Sequence, residues 1–185
     1  MNNDMRILAE DTMALIVDYQ ERLVPVMWNS KVLLQNSELL VKGLKALGIP
    51  MVISQQYTKG IGMTVPAIAE AAGEEFTYYD KLTFSCAEDN TILQRVLETG
   101  RKNIVLCGIE AHICVLQTAI DLLAKGFHVI LVEDCISSRK ENDRRIAVQR
   151  AAAEGAVITT YESLLFELTR VAKTEVFKKI SNLIK

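Results

Sequence analysis

The sequence has no charge of one sign in excess. Lys and Arg total 21 against 23 Asp and Glu, a formal net charge of −2, with the signs mixed along the chain. A nucleic-acid binder normally carries a basic stripe or tail, and none is visible. Long apolar runs are also missing: the longest, at 104–109 and 127–132, fall well short of the roughly 18 residues a membrane span needs. The first residues, Met1-Asn2-Asn3-Asp4-Met5-Arg6, show no positive stretch leading into an apolar core, so no signal peptide is expected. Cysteine is scarce. Four residues, at 86, 107, 114 and 135, are too few and too irregular for a disulfide framework, and no Cys-x-x-Cys spacing appears. Neither Gly-x-Gly-x-x-Gly nor Gly-x-x-x-x-Gly-Lys-Ser/Thr follows a strand pattern, which excludes the usual dinucleotide and phosphate cradles. Two separated histidines leave a catalytic zinc without its ordinary ligands. A cytoplasmic enzyme or binding domain remains, with no cofactor, metal, membrane or nucleic acid expected.

What is present is a regular alternation of two periods. Half the chain is apolar, and its 185 residues fit one domain at a rough 150 per domain. Segments 12–17, 50–54, 103–108, 127–133 and 156–159 are short and rich in β-branched residues, and read as strands buried on both faces. A weaker edge strand is expected at 75–79. Between them, 30–47, 89–99, 112–125 and 141–154 carry apolar residues at helical spacing. Gly100, Gly126 and Gly155 each stand just past a helix end, where a left-handed cap is wanted. Such alternation with short connections predicts an α/β fold, a mostly parallel, doubly wound sheet with helices on both faces. A last amphipathic helix, 174–185, is expected to pack on the domain or on another subunit, and a homo-oligomer is expected.

Ligands of doubly wound sheets bind beyond the carboxyl ends of the strands. Asp18 follows the apolar Leu15-Ile16-Val17, either as a site carboxylate or as a turn acid. Cys114 stands in the first turn of a helix after the strand at 103–108. There the helix dipole lowers a thiol pKa from ~8.5 toward neutrality, so the residue is either a nucleophile or a small packed side chain. Lys81 is either an ammonium carried into the pocket or a solvated lysine paired with Asp80. Cys107 fits a strand interior, and Cys86 and Cys135 read as loop residues with no assigned role. His128 reads as structural. His112 reaches Cys114 only if it lies in a loop, because positions two apart on a helix do not face each other. Gln20, Trp28, Gln55 and Tyr57 fall on loops that should rim a pocket, with Trp28 equally suited to helix packing. No arginine cluster marks the mouth, so a polyanionic substrate is not indicated.

Gly108-Ile109-Glu110-Ala111-His112-Ile113-Cys114-Val115 resembles the nucleophile segment of the isochorismatase-like cysteine hydrolases. Leu15-Ile16-Val17-Asp18-Tyr19-Gln20 is similar to their first-strand acid motif, and Lys81-Leu82-Thr83-Phe84-Ser85 to their lysine motif. Glu133-Asp134-Cys135-Ile136-Ser137-Ser138-Arg139 matches the segment after the next strand, and the likeness runs from about residue 12 to about 168. It implies a three-layer α/β/α sandwich with Asp18, Lys81 and Cys114 as a catalytic triad. It also implies a non-proline cis peptide between Ile109 and Glu110, which would aim the backbone N–H groups of Glu110 and Cys114 at one oxyanion. Two departures matter. Family nicotinamidases hold a metal with an Asp and histidines after the second strand, where this chain has Ser54-Gln55-Gln56-Tyr57-Thr58-Lys59-Gly60. Isochorismate cleavage is a vinyl-ether hydrolysis needing no thiol, so Cys114 favours acyl chemistry on a C–N bond. The sequence therefore predicts a metal-independent cysteine hydrolase of a small amide, imide or carbamate. The alternatives are a binding or scaffold protein of the same fold and a vinyl-ether hydrolase.

Overall fold

A computed structural model describes residues 6–73 and 77–185. Its sheet comprises β1 (Thr12–Val17), β2 (Met51–Gln56), β3 (Tyr78–Lys81), β4 (Asn103–Ile109), β5 (His128–Ser137) and β6 (Val157–Thr159). All neighbours are parallel, in the order β3-β2-β1-β4-β5-β6. Strand order therefore reverses between β1 and β4, and the crevice at their carboxyl ends is where this topology offers a site.

Helices α1 (Ser30–Ala46), α3 (Pro66–Ala72), α7 (Tyr161–Thr169) and α8 (Glu175–Ile184) cover one face of the sheet. Helices α4 (Asn90–Glu98), α5 (Leu116–Ala124) and α6 (Glu141–Ala153) cover the other. A four-residue α2 (Thr58–Ile61) leads out of β2. The fold is the three-layer α/β/α sandwich. In β1, Met13, Leu15 and Val17 enter one apolar layer and Ala14 and Ile16 the other, all fully buried. Burial on both faces is why the strand reads as an unbroken apolar run. Each of these side chains larger than Ala14 contributes roughly 1.5–3 kcal/mol of transfer free energy.

Local signals set the helix ends. The Asp89 carboxylate accepts from the N–H groups of Thr91 and Ile92 at 3.0 Å each and starts α4. Gly100, Gly126 and Gly155 all have positive φ. Gly108 meets a different demand: a Cβ there would stand 2.2 Å from the Val17 carbonyl oxygen. Only glycine lets β4 approach β1 so closely beside the crevice.

Some boundaries differ from expectation. Of the edge strand expected at 75–79, Glu75 and Phe76 lie outside the described residues, and the described strand is Tyr78–Lys81. Strand β5 runs on to Ser137 and takes in Cys135, because after a register shift its end pairs Ile136 with Gly108 and Ser137 with Ile109. The tail helix packs on its own fold: Ile180 is fully buried, and the Phe177 ring lies 6.2 Å from that of Phe166. Among the described residues no helix is long and apolar enough to cross a membrane.

Candidate active site

Asp18 is the first residue past β1 and is fully buried in the left-handed region, φ 53°. That conformation is uncommon for a residue with a Cβ and costs on the order of 1–3 kcal/mol. Hydrogen bonds hold it. The Asp18 N–H donates to the Ser54 carbonyl at 3.2 Å, and the Gln20 N–H to the Asp18 carbonyl at 2.7 Å. Both carboxylate oxygens are engaged: Oδ1 accepts from Ser54 Oγ at 2.7 Å and Oδ2 from Lys81 Nζ at 2.8 Å.

Lys81 ends β3, and its side chain is as inaccessible as that of Asp18. Its ammonium donates also to Gln56 Oε1 at 2.7 Å and to the carbonyls of Thr83 and Phe84 at 3.2 Å each. Four acceptors surround three protons, so the cation is saturated and acts on its neighbours by charge. Burial disfavours the ammonium, but the Asp18 charge, with Cys86 and Cys114, outweighs it and raises the pKa. Lys81 is thus not a solvated partner of Asp80, whose Oδ1 accepts from the Thr58 N–H and hydroxyl.

Cys114 lies in a π-helical turn, Ala111–Val115, that leads into α5. Beneath it the Glu110 carbonyl accepts from the N–H groups of Ile113 and Val115, and the peptide between Ile109 and Glu110 is cis. The thiol is nearly buried at 6% exposure. Burial first, then the charge of Asp18, pushes it up to about 12, while Lys81 pulls it down. The expectation of a lowered thiol pKa is therefore corrected. At rest the proton stays on sulfur, with the Asp18 carboxylate acting on it. The turn thus presents a thiol beside a carboxylate whose charge a buried lysine balances.

Residues 12–163 match the family model described as the isochorismatase domain. The chain belongs to the isochorismatase family. The secreted isochorismatase effector Isc1 of Phytophthora sojae is 35% identical over 185 residues, covering 97% of this chain and 87% of that protein. Isochorismatase domain-containing protein 1 of Salmo salar is 36% identical over 97% of this chain, which spans 62% of that protein's length. The solved structure of MAR1 ribonuclease from Caenorhabditis elegans is 34% identical, with a TM-score of 0.90 over 97% of this chain and 92% of that one. A hydrolase-type activity accords with this family.

In this isochorismatase-family chain the four residues expected at the pocket rim part ways. Gln20 is fully buried, its carboxamide donating to the carbonyls of Gln56 and Gly62 and accepting from the Gln56 N–H. Gln55 is equally buried and accepts from both the N–H and the hydroxyl of Thr64. Both carboxamides clamp loop segments, because an inward carboxamide must find partners once buried. Tyr57 is about half exposed, with its ring against Gly60. Trp28 is 39% exposed and lines a cavity of about 190 Å³ with Asn36, Asp134, Ser137 and Arg144. The Arg144 guanidinium lies over its ring at 5.7 Å.

His112 does not pair with Cys114; its Nδ1 is 2.9 Å from Ser138 Oγ. Among the described residues no group of three or more His, Cys, Asp or Glu is placed to hold a metal ion. Sequence reasoning missed Ser54, Gln56 and Cys86. Cys86 is not in a loop but opens a short 3-10 turn, Cys86–Glu88, against the site. Ser54 and Gln56 stand two apart on an interior strand. That spacing puts two polar side chains on one buried face, a signal available from the sequence.

Proposed function

We propose that the protein is a cysteine hydrolase that opens a C–N bond in a small amide, imide, carbamate or related molecule. Cys114 is the nucleophile, Asp18 carries the proton and Lys81 is the fixed cation. The observation that supports this most is the fully buried Asp18–Lys81 pair, 2.8 Å apart, next to a thiol. A buried ion pair is a poor source of stability, since desolvation offsets most of its attraction. Its presence beside a nucleophile is accounted for by chemistry.

In the proposed cycle Asp18 takes the Cys114 proton as sulfur attacks the carbonyl carbon. The raised thiol pKa fits a proton that leaves only as the new C–S bond forms. Lys81 offsets the negative charge now shared by sulfur and substrate, and the N–H groups of Glu110 and Cys114 receive the oxyanion. Asp18 gives its proton to the departing nitrogen as the C–N bond breaks and a thioester remains. Asp18 then takes a proton from water, which attacks the thioester, releasing the acid and restoring the thiol.

The test is a panel of small amides, imides and carbamates, with isochorismate and RNA as further arms, because the C. elegans relative is named a ribonuclease. Expected is turnover of a C–N substrate by the native protein, an acyl adduct on Cys114 in acid-quenched samples, and neither in Cys114→Ala. Turnover that survives Cys114→Ala, or is confined to isochorismate or RNA, overturns the reading. Tight binding without turnover would make the chain a binding module.

A further inference from the structure

Lys81 supplies one of the two donors to the Asp18 carboxylate; the other comes from Ser54 on β2. The two residues are locked together twice. Sheet register sets Val17 opposite Ser54, the Asp18 N–H reaches the Ser54 carbonyl, and Ser54 Oγ lies 2.7 Å from Asp18 Oδ1. An ionised carboxylate only accepts, so the Ser54 proton points at Asp18 and the hydroxyl lone pairs are left to accept. Cys86 Sγ is 3.4 Å from that oxygen. Cys86 is anchored in turn, its N–H donating at 2.9 Å to Thr118 Oγ1, one helical turn beyond Cys114. All three side chains, Asp18, Ser54 and Cys86, are fully buried.

We propose that Ser54, backed by the Cys86 thiol, is a positioning residue that holds the Asp18 carboxylate in the orientation that takes the Cys114 proton. This deepens the hydrolase reading and rests on it. The last torsion of an aspartate is soft and two-fold, and a donor on one oxygen alone leaves it free to swing. Lys81 and Ser54, one on each oxygen, fix it with a lone pair toward sulfur. Four elements present groups to Asp18: Lys81 from β3, Ser54 from β2, Cys86 from the 3-10 turn and Cys114 from the π turn. Burial, and then the Asp18 charge, raises the Cys86 thiol to about 11, so it stays protonated and keeps donating.

The measurement is the rate of Cys114 alkylation by iodoacetamide between pH 5 and 10, read by mass spectrometry on intact, folded protein. Ser54→Ala removes one donor from the charged carboxylate. The acid limb of the profile then moves up by about one unit, so that at a fixed pH on that limb the rate falls roughly tenfold. Cys86→Ala moves the limb the same way by less, and Cys86→Ser, which keeps a donor, restores it. A purely structural role would lower thermal stability and leave the acid limb where it was. An unmoved limb in folded Ser54→Ala overturns the proposal. Should that variant fail to fold, equal profiles for Cys86→Ala and Cys86→Ser overturn it instead. If Cys114 of the native protein alkylates no faster than Cys86, the hydrolase reading itself fails, which is a distinct result.

Discussion

Asp18 and Tyr19 are adjacent in the chain, yet they end in two buried polar clusters in different layers. Tyr19 is fully buried in the α1 layer; its hydroxyl lies 2.7 Å from Ser37 Oγ and donates to the Cys135 carbonyl. Cys107 and Cys135 complete that cluster. Asp18 instead meets Lys81, Ser54, Cys86 and Cys114. Each cluster holds two cysteines, and burial raises all four thiols: Cys86 to about 11, Cys107 and Cys114 to about 12, and Cys135 well above its ordinary value. Burial alone therefore does not set them apart. Around Asp18 a carboxylate stands ready for the proton and a cation for the charge left behind. Around Tyr19 the Asp134 carboxylate acts on Cys135, but no lysine or arginine is named beside it, so the charge left by a proton transfer there would lack the cation that Lys81 provides at Asp18.

The most severe way to break this contrast is to remove a sulfur from each cluster. Cys114→Ala is expected to lower kcat by more than about 10³-fold with the fold retained. Cys107→Ala is expected to cost about 1 kcal/mol of stability and leave kcat within about twofold. Parallel kinetics and denaturant melts decide it. Next is the cation. Lys81→Ala strands a buried carboxylate and should cost about 3–5 kcal/mol in urea unfolding, as well as slowing Cys114 alkylation. Alkaline pH should act on both clusters alike. The thiols carry folded values above the 9.0 of an unburied thiol, so the unfolded chain releases its protons first. Stability is thus fully present below pH 9 and is lost as pH rises toward 11–12. The slope is about 1.4 kcal/mol per pH unit for each such thiol. Lys81, raised from 10.5, adds in the same direction at higher pH. A pH series of urea melts checks this. Smallest is Tyr19→Phe, which leaves Ser37 and the Cys135 carbonyl short of a partner. A loss of about 1–2 kcal/mol is expected, with Cys114 alkylation unchanged.

The same contrast explains what the sequence could tell. Strand β1 was legible to the residue because both its faces are apolar, and a mostly parallel, doubly wound sheet followed from the alternation. Strand β5 was cut short because Glu133 and Asp134 interrupt its apolar run, although the backbone continues to Ser137. Helices α2 and α3 and the helix α7 were not anticipated; α7 is capped by Thr160, whose hydroxyl accepts from the Ser163 N–H. Asp18, Lys81 and Cys114 were singled out by their places at strand ends together with the family likeness, and the fold brings them together. The state of the Cys114 proton was not legible, because a helix terminus is visible in sequence and the burial of the thiol beside a carboxylate is not. Ser54 and Gln56 were noted only as unsuited to a metal, and their polar side chains on a buried strand face carried a meaning that was passed over. Gln20 and Gln55 show the converse: a polar residue near a strand end can as well clamp a loop as meet a ligand, and spacing alone does not separate the two.

Iodoacetamide labelling of the native protein at pH 7, resolved for each cysteine by mass spectrometry, compares the two clusters in one tube. The result expected is modification of Cys114 well ahead of Cys107 and Cys135, and loss of that lead in Lys81→Ala. Labelling of Cys114 no faster than that of Cys107 would contradict the assignment of the Asp18 cluster as the reactive one.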